Sequence, residues 1–203
     1  TVTVVVVMVV ATVLANAMRF GRATVTRAAA RVAVFGYAVP GPVVGMGVLL
    51  AVVGLDDVLE RVGGNLPGVA GAGSLLVLFY AYAVRFLAPG LGAVESGIET
   101  VSEAVTASAR TLGANPLRTM LRVHLPLARA SLVAGAILVG VDTLKELPIV
   151  LLLRPFGFDT LPVWVYDLAA ESRFQQAALP ALSIVAVAVL PVLLLSRQLE
   201  RAA

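Results

Sequence analysis

The chain has 203 residues, of which 60% are hydrophobic and 13% charged, with a formal net charge of +3. A soluble domain carries roughly 25% charged residues, so this balance points to the bilayer instead. The absence of cysteine excludes disulfides and thiolate chemistry, and with a single histidine a zinc site is not expected. The positive charge is carried by arginines clustered between apolar runs, which fits positive-inside topology better than nucleic-acid binding.

Five apolar segments approach the roughly 20 residues that a helix needs to cross the hydrocarbon core. In lipid each must be helical, because no water is present to satisfy its backbone. The first segment covers 2–18. The loop at 19–33 carries Arg19, Arg22, Arg27 and Arg31 and no acid, which places it in the cytoplasm. The chain has no basic n-region of a signal peptide and begins inside an apolar run, so we expect it to be a piece of a longer protein.

The second segment, 32–54, contains Gly36, Pro40, Gly41, Pro42, Gly45 and Gly47. These residues suit either a packing notch or a broken helix lining a path. The loop at 55–69 is acidic through Asp56, Asp57 and Glu60 and is expected on the outer side. A third segment covers 70–91, and Arg85 near its end is expected to snorkel to the inner headgroups.

The stretch at 92–130 is too polar for its neighbours. Ser102 is the expected N-cap of a helix with Glu103 in its first turn. Gly113 is the expected stop. Asn115 then caps a second helix with Pro116 at its first position. Leu117, Met120, Leu121 and Leu125 form an apolar face, Arg118 and Arg122 a basic one, and Pro126 is expected to end the unit. Two short rigid helices in a cytoplasmic loop form a lever that a partner can push. His124 has no Ser or Asp relay at a recognisable spacing, so no catalytic residue is assigned.

The fourth segment, 131–153, carries Asp142, Lys145 and Glu146, followed by Pro148. Asp142 reaches Lys145 at i+3 and Glu146 at i+4 on one helical face. Charge inside a span faces a partner, a cavity or a pathway, so this group is either a bracing ion pair or a gate. The loop at 154–176 brings Trp164, Tyr166 and Phe174 to the outer surface, and the fifth segment covers 177–196. Arg197 and Arg201 return the tail to the basic side. The N-terminus of the chain is therefore expected outside and its C-terminus in the cytoplasm.

The 102–126 stretch resembles the coupling loop of ABC-importer permeases, whose pattern is Glu-Ala-Ala, three residues, Gly, nine residues, Ile, one residue, Leu-Pro. Gly113 fixes the frame, and Val123, Leu125 and Pro126 match with Val for Ile. The Glu-Ala-Ala position falls on Ala107, Ser108 and Ala109, so the family's acid is missing; Glu103 lies one turn earlier. Gly36-Tyr37-Ala38-Val39-Pro40-Gly41, Glu95-Ser96-Gly97, Lys145-Glu146-Leu147-Pro148 and Leu151 to Leu161 are similar to the C-terminal half of ferric-iron importer permeases.

That resemblance covers the whole chain. It implies an all-α polytopic transmembrane bundle of about five spans, one permease domain over 1–203, of the type I importer class. The coupling loop over 92–130 would act through Glu103, Ala107, Ser108, Ala109, Gly113, Arg118, Arg122, Leu125 and Pro126. The path or gate would use Asp142, Lys145, Glu146 and Pro148. The implied partners are a dimer of cytoplasmic ABC ATPase subunits, a periplasmic substrate-binding protein, a second permease half and the lipid bilayer, with no nucleic acid. The implied location is the bacterial inner membrane. No cofactor or resident metal is expected, and ATP hydrolysis belongs to the separate ATPase. Permeases of the same architecture for thiamine, polyamines or oxyanions, and a membrane enzyme using Asp142 and Glu146, are the alternative functions.

Overall fold

A computed structural model describes residues 2–20, 28, 35–64 and 71–202. Arg22, Arg27, Arg31 and Asn65 to Ala70 lie outside the described residues, as do the side chains of Arg197 and Arg201. All regular structure among the described residues is helical. Among the described residues, four helices are long and apolar enough to cross a membrane, and a bent pair, taken as one span, brings the number to five.

The chain divides into two compact units, residues 1–38 with 86–140 and residues 39–85 with 141–203. The first unit is built on α1, Val2–Phe20. Its valines would favour strands in water, but in lipid only a helix satisfies the backbone within the segment. Thr3, Val7, Ala11 and Ala15 recur every fourth residue and are all buried. Small residues on that stripe let neighbouring helices approach closely. Val2, Val5, Val9 and Val13 are exposed on the opposite side, as lipid contact requires.

Helix α3, Leu75–Glu99, supplies Leu91, Val94 and Ile98 to the same core. Helix α4, Glu103–Thr111, and α5, Pro116–Thr119, form the polar stretch. A wide turn of π geometry, Met120–His124, follows, then α6, Leu125–Leu127. Met120 from the wide turn packs into the core formed by Ala11, Ala15, Leu91, Val94 and Ile98. Helix α7, Arg129–Leu144, then leaves at a bend of 81° from the preceding helical segment.

The second unit contains α2, Gly41–Arg61, which packs against α8, Pro148–Leu153. Gly41, Val44, Gly45 and Val48 are its buried face, opposite Ile149 and Leu152. Helix α9, Leu161–Ala170, packs against α10, Phe174–Ala202. Leu179, Leu182, Val185 and Leu190 of α10 are exposed and apolar.

Several expected boundaries move. The second span begins at Gly41, after a break at Val39 and Pro40, and runs on to Arg61. Asp56, Asp57 and Glu60 thus sit in its last turns, not in a loop. The third helix continues to Glu99, so the polar stretch starts about two turns later than residue 92. Pro89 lies inside it without ending it.

The fourth segment is the largest correction. It is not one helix over 131–153: α7 stops at Leu144 and α8 restarts at Pro148. A proline has no N–H and clashes with the preceding turn, so it is tolerated at a helix start and breaks an interior. The loop at 154–176 contains a helix of its own, α9.

Candidate functional site

Two sets of polar side chains stand out, one in each unit. The first is the polar stretch. Asn115 caps α5 as its chemistry dictates, its Oδ1 accepting from the Arg118 N–H at 2.7 Å. Gly113 has φ of +81°, the left-handed conformation that glycine adopts without a Cβ penalty. Ser102 occupies the N-cap position of α4, but its side chain makes no capping hydrogen bond.

Pro126 does not end the unit. It lies within α6, immediately after the wide turn, in which the Leu125 N–H donates to the Met120 carbonyl. An ordinary helix would need an N–H from residue 126 to reach residue 122, and proline has none. The wider turn absorbs that gap, and the sharp bend falls at Ala128 instead.

The stretch has two distinct sides. Leu112, Leu117 and Leu121 are 86%, 61% and 54% exposed. Arg118, Arg122, Glu103, Ala107 and Ser108 are exposed as well, and Ala109 is half-buried. Thr106, Thr119, Met120 and His124 are buried on the other side. A cleft of about 720 Å³ is lined by Arg19, Glu95, Glu99, Glu103, Thr106, Ala107 and Arg110, among others. Glu103 and Ala107 therefore face the same space, one turn apart.

Beneath the cleft the side chains form a chain of hydrogen bonds. Arg19 Nη1 donates to the Ile98 carbonyl at 2.9 Å, and Nη2 donates to the Val101 carbonyl at 3.2 Å and to Thr106 Oγ1 at 3.3 Å. Thr106 Oγ1 lies 3.0 Å from His124 Nε2. Burial holds the His124 imidazole below its ordinary pKa, and the Arg19 charge adds to the effect.

The second set lies in the other unit. Asp142 is buried and pairs with the exposed Lys145 at 2.8 Å, the expected i,i+3 partnership. Glu146 is not on that helical face, because α7 has already ended. It pairs instead with Arg85, 3.5 Å away, and its Oε1 accepts from the Ile149 N–H at 3.3 Å at the start of α8. Arg85 also donates to the Val39 carbonyl. Its expected role, snorkelling to the headgroups, is replaced by an ion pair with a residue 61 positions away. Gly41 completes the arrangement, since a Cβ there would lie 2.7 Å from Glu146 Oε1. Pro148 is the first residue of α8, and Glu146 caps the helix that it opens.

This set holds a helix start, a carbonyl at the break before α2 and two ion pairs. It contains no group of three His, Cys, Asp or Glu side chains placed to hold a metal, among the described residues. Sequence reasoning missed Arg19, Thr106 and Arg85, whose partners lie 79–87, 18 and 46–61 positions away.

The family described as "Binding-protein-dependent transport system inner membrane component" matches residues 7–203. The chain belongs to this family. A protein of Salmonella paratyphi A named as a 2-aminoethylphosphonate transport system permease, PhnV, is 32% identical over 131 residues, covering 64% of this chain and 48% of that protein. The Fe(3+)-transport system permease protein FbpB 2 of Haemophilus influenzae is 26% identical over 124 residues, 61% of this chain and 24% of that protein. The chain thus spans about half the length of the relatives that it matches first.

A solved bacterial ABC transporter involved in import of the acidic polysaccharide alginate shares the fold. Its TM-score is 0.71 at 13% identity, over 98% of this chain and 77% of that one. A second structure, of the alginate transporter in complex with a pentasaccharide-bound periplasmic protein, gives a TM-score of 0.72 at 13% identity, over 97% of this chain and 71% of that one. Membership of this permease family makes the chain an inner-membrane, multi-pass transport component.

Proposed function

We propose that the chain is the transmembrane permease part of an ATP-driven importer, and that it moves ferric iron, delivered by a periplasmic binding protein, by alternating access. The observation that carries the reading is the two-sided polar stretch. Its outer side offers Leu112 beside Arg118 and Arg122, Leu117 and Leu121 line an apolar groove with Val5, Val9 and Val13 of α1, and its inner side is tied into the membrane helices by Met120, Thr106 and His124. Apolar anchors beside arginines are the composition of a protein-docking surface. The partner is an ATPase subunit of a dimer, and a second permease half faces the other subunit. Motion of the docked helices then tilts the bundle between its outward- and inward-facing states.

The N-terminus of the chain lies outside and its C-terminus in the cytoplasm, in line with Arg19, Arg110, Arg118 and Arg122 at one end. Glu103 supplies to the ATPase the acid that the family places at position 107, since both residues line one cleft. Asp142, Lys145, Glu146 and Pro148 form the gate of the path, and Glu146 and Arg85 hold the restart of α8 against the start of α2.

Iron is favoured by the Lys145-Glu146-Leu147-Pro148 and Arg154-to-Asp159 runs and by the FbpB 2 relative. A second reading, an aminophosphonate, is favoured by the higher identity to PhnV. Uptake of radiolabelled ferric iron by cells expressing the full-length permease with its ATPase and binding protein separates the two. Iron uptake unaffected by excess 2-aminoethylphosphonate supports the first reading. Phosphonate uptake without iron uptake establishes the second.

A further inference from the structure

The hydrogen-bond chain from Arg19 to His124 ties together four elements that the coupling reading leaves unconnected. Arg19 is in the last turn of α1. Ile98 offers one of the last carbonyls of α3, which lack partners within the helix and carry the negative end of its dipole. Thr106 is on α4, and His124 closes the wide turn before α6. The guanidinium spans three acceptors at once, a geometry that its rigid fork allows and a lysine does not.

Thr106 Oγ1 accepts from Arg19 and hydrogen-bonds His124 Nε2, as donor or as second acceptor according to the imidazole tautomer. Burial and the Arg19 charge both favour the neutral imidazole. A second cation here would face Arg19 through one hydroxyl, and His124 is fully buried.

We propose that Arg19, Thr106 and His124 are positioning residues that lock α4 and the wide turn to the ends of α1 and α3, so that this part of the first unit moves as one rigid body when the ATPase pulls on its outer side. The proposal rests on the coupling reading above. Without the lock, α4 is joined to the membrane helices by the peptide links at 100–102 and, through α5 and the wide turn, by the Met120 contact, and part of a pull on α4 is spent on reorienting it.

These 203 residues contain no cysteine, and any elsewhere in the full-length permease are first replaced by serine. Labels at Val13→Cys, on the exposed side of α1, and Ala104→Cys, exposed on α4, report the distance across the lock in the full-length permease purified with its ATPase. The unsubstituted lock should give one narrow distance that is the same with and without the non-hydrolysable nucleotide AMP-PNP. Thr106→Val keeps the side-chain volume and removes the hydroxyl. It should broaden the distribution and let nucleotide shift it by roughly 2 Å, the scale of helix displacement in such transitions. Arg19→Lys should do the same, and Thr106→Ser should restore the narrow, nucleotide-independent distance. A nucleotide-independent distance in Thr106→Val, with the ATPase still bound, overturns the lock while leaving the importer reading standing. Failure of the unsubstituted permease to retain any ATPase overturns the importer reading, and the lock with it.

Discussion

Glu146 shows how much a single side chain can hold. It meets Arg85, the Ile149 N–H and the start of α2 at Gly41. Removing one partner of a largely buried pair costs roughly 3 kcal/mol, because the other charge is left behind. Glu146→Gln should therefore lower the thermal unfolding temperature in detergent by several degrees. Arg85→Met added to it should recover most of that loss. If the pair only braces the fold, transport recovers with stability; if it gates the path, transport stays low in the double variant. Gly41→Ala should cost about 1–3 kcal/mol by pushing a held carboxylate aside, measured the same way.

His124 gives a pH dependence of known sign. Its folded pKa is lowered, by burial first and by Arg19 second, so the unfolded chain binds more protons in the interval below its ordinary value. Stability from this residue is complete above about pH 6.5 and falls as pH drops below that toward the lowered folded value. Unfolding temperatures measured from pH 8 to 5 should decline on the acid side, and the decline should shrink in His124→Gln. An unchanged profile in the variant would assign the acid sensitivity to other groups.

At the scale of elements, local chemistry was legible and long-range partnership was not. Asn115 and Gly113 behave as their side chains dictate, because a cap and a left-handed turn are settled within three or four residues. Five apolar segments were evident for the same reason: backbone in lipid has few options. Proline was the source of error. Pro126 and Pro89 pass through helical structure while Pro148 opens a new helix, and only the neighbouring turns and packing decide which outcome occurs. The Arg85 and Arg19 partnerships depend on which helices become neighbours, and nothing in either residue's local sequence encodes that.

The coupling stretch makes the prediction that belongs at this scale. Leu112→Glu, on the exposed side, should leave the unfolding temperature within a degree or two and abolish copurification of the ATPase, since it places a charge at an apolar anchor. Glu103→Ala should weaken ATPase retention by roughly tenfold, the worth of one charge-assisted contact, and Ala107→Glu should recover it. Retention unaltered in Glu103→Ala would mean that the missing acid at position 107 has no substitute on this helix.

For the molecule, the division of labour is what the account stands on. The chain offers a set of membrane helices with lipid-facing valine and leucine surfaces, one exposed two-helix stretch fastened to α1 and α3, and a helix restart held by Glu146 and Arg85. Membership of the permease family fits that division. Substrate identity was the least legible property, and the relatives PhnV and FbpB 2 are named for different cargo.

The most direct test is reconstitution. Full-length permease, coexpressed with its ATPase and purified through a tag on the permease alone, is placed in liposomes with the binding protein outside and ATP inside. The account predicts that the ATPase stays bound through purification, and that radiolabelled ferric iron accumulates only when ATP is present. An ATPase that separates from the permease, or iron uptake that proceeds equally without ATP, would contradict it.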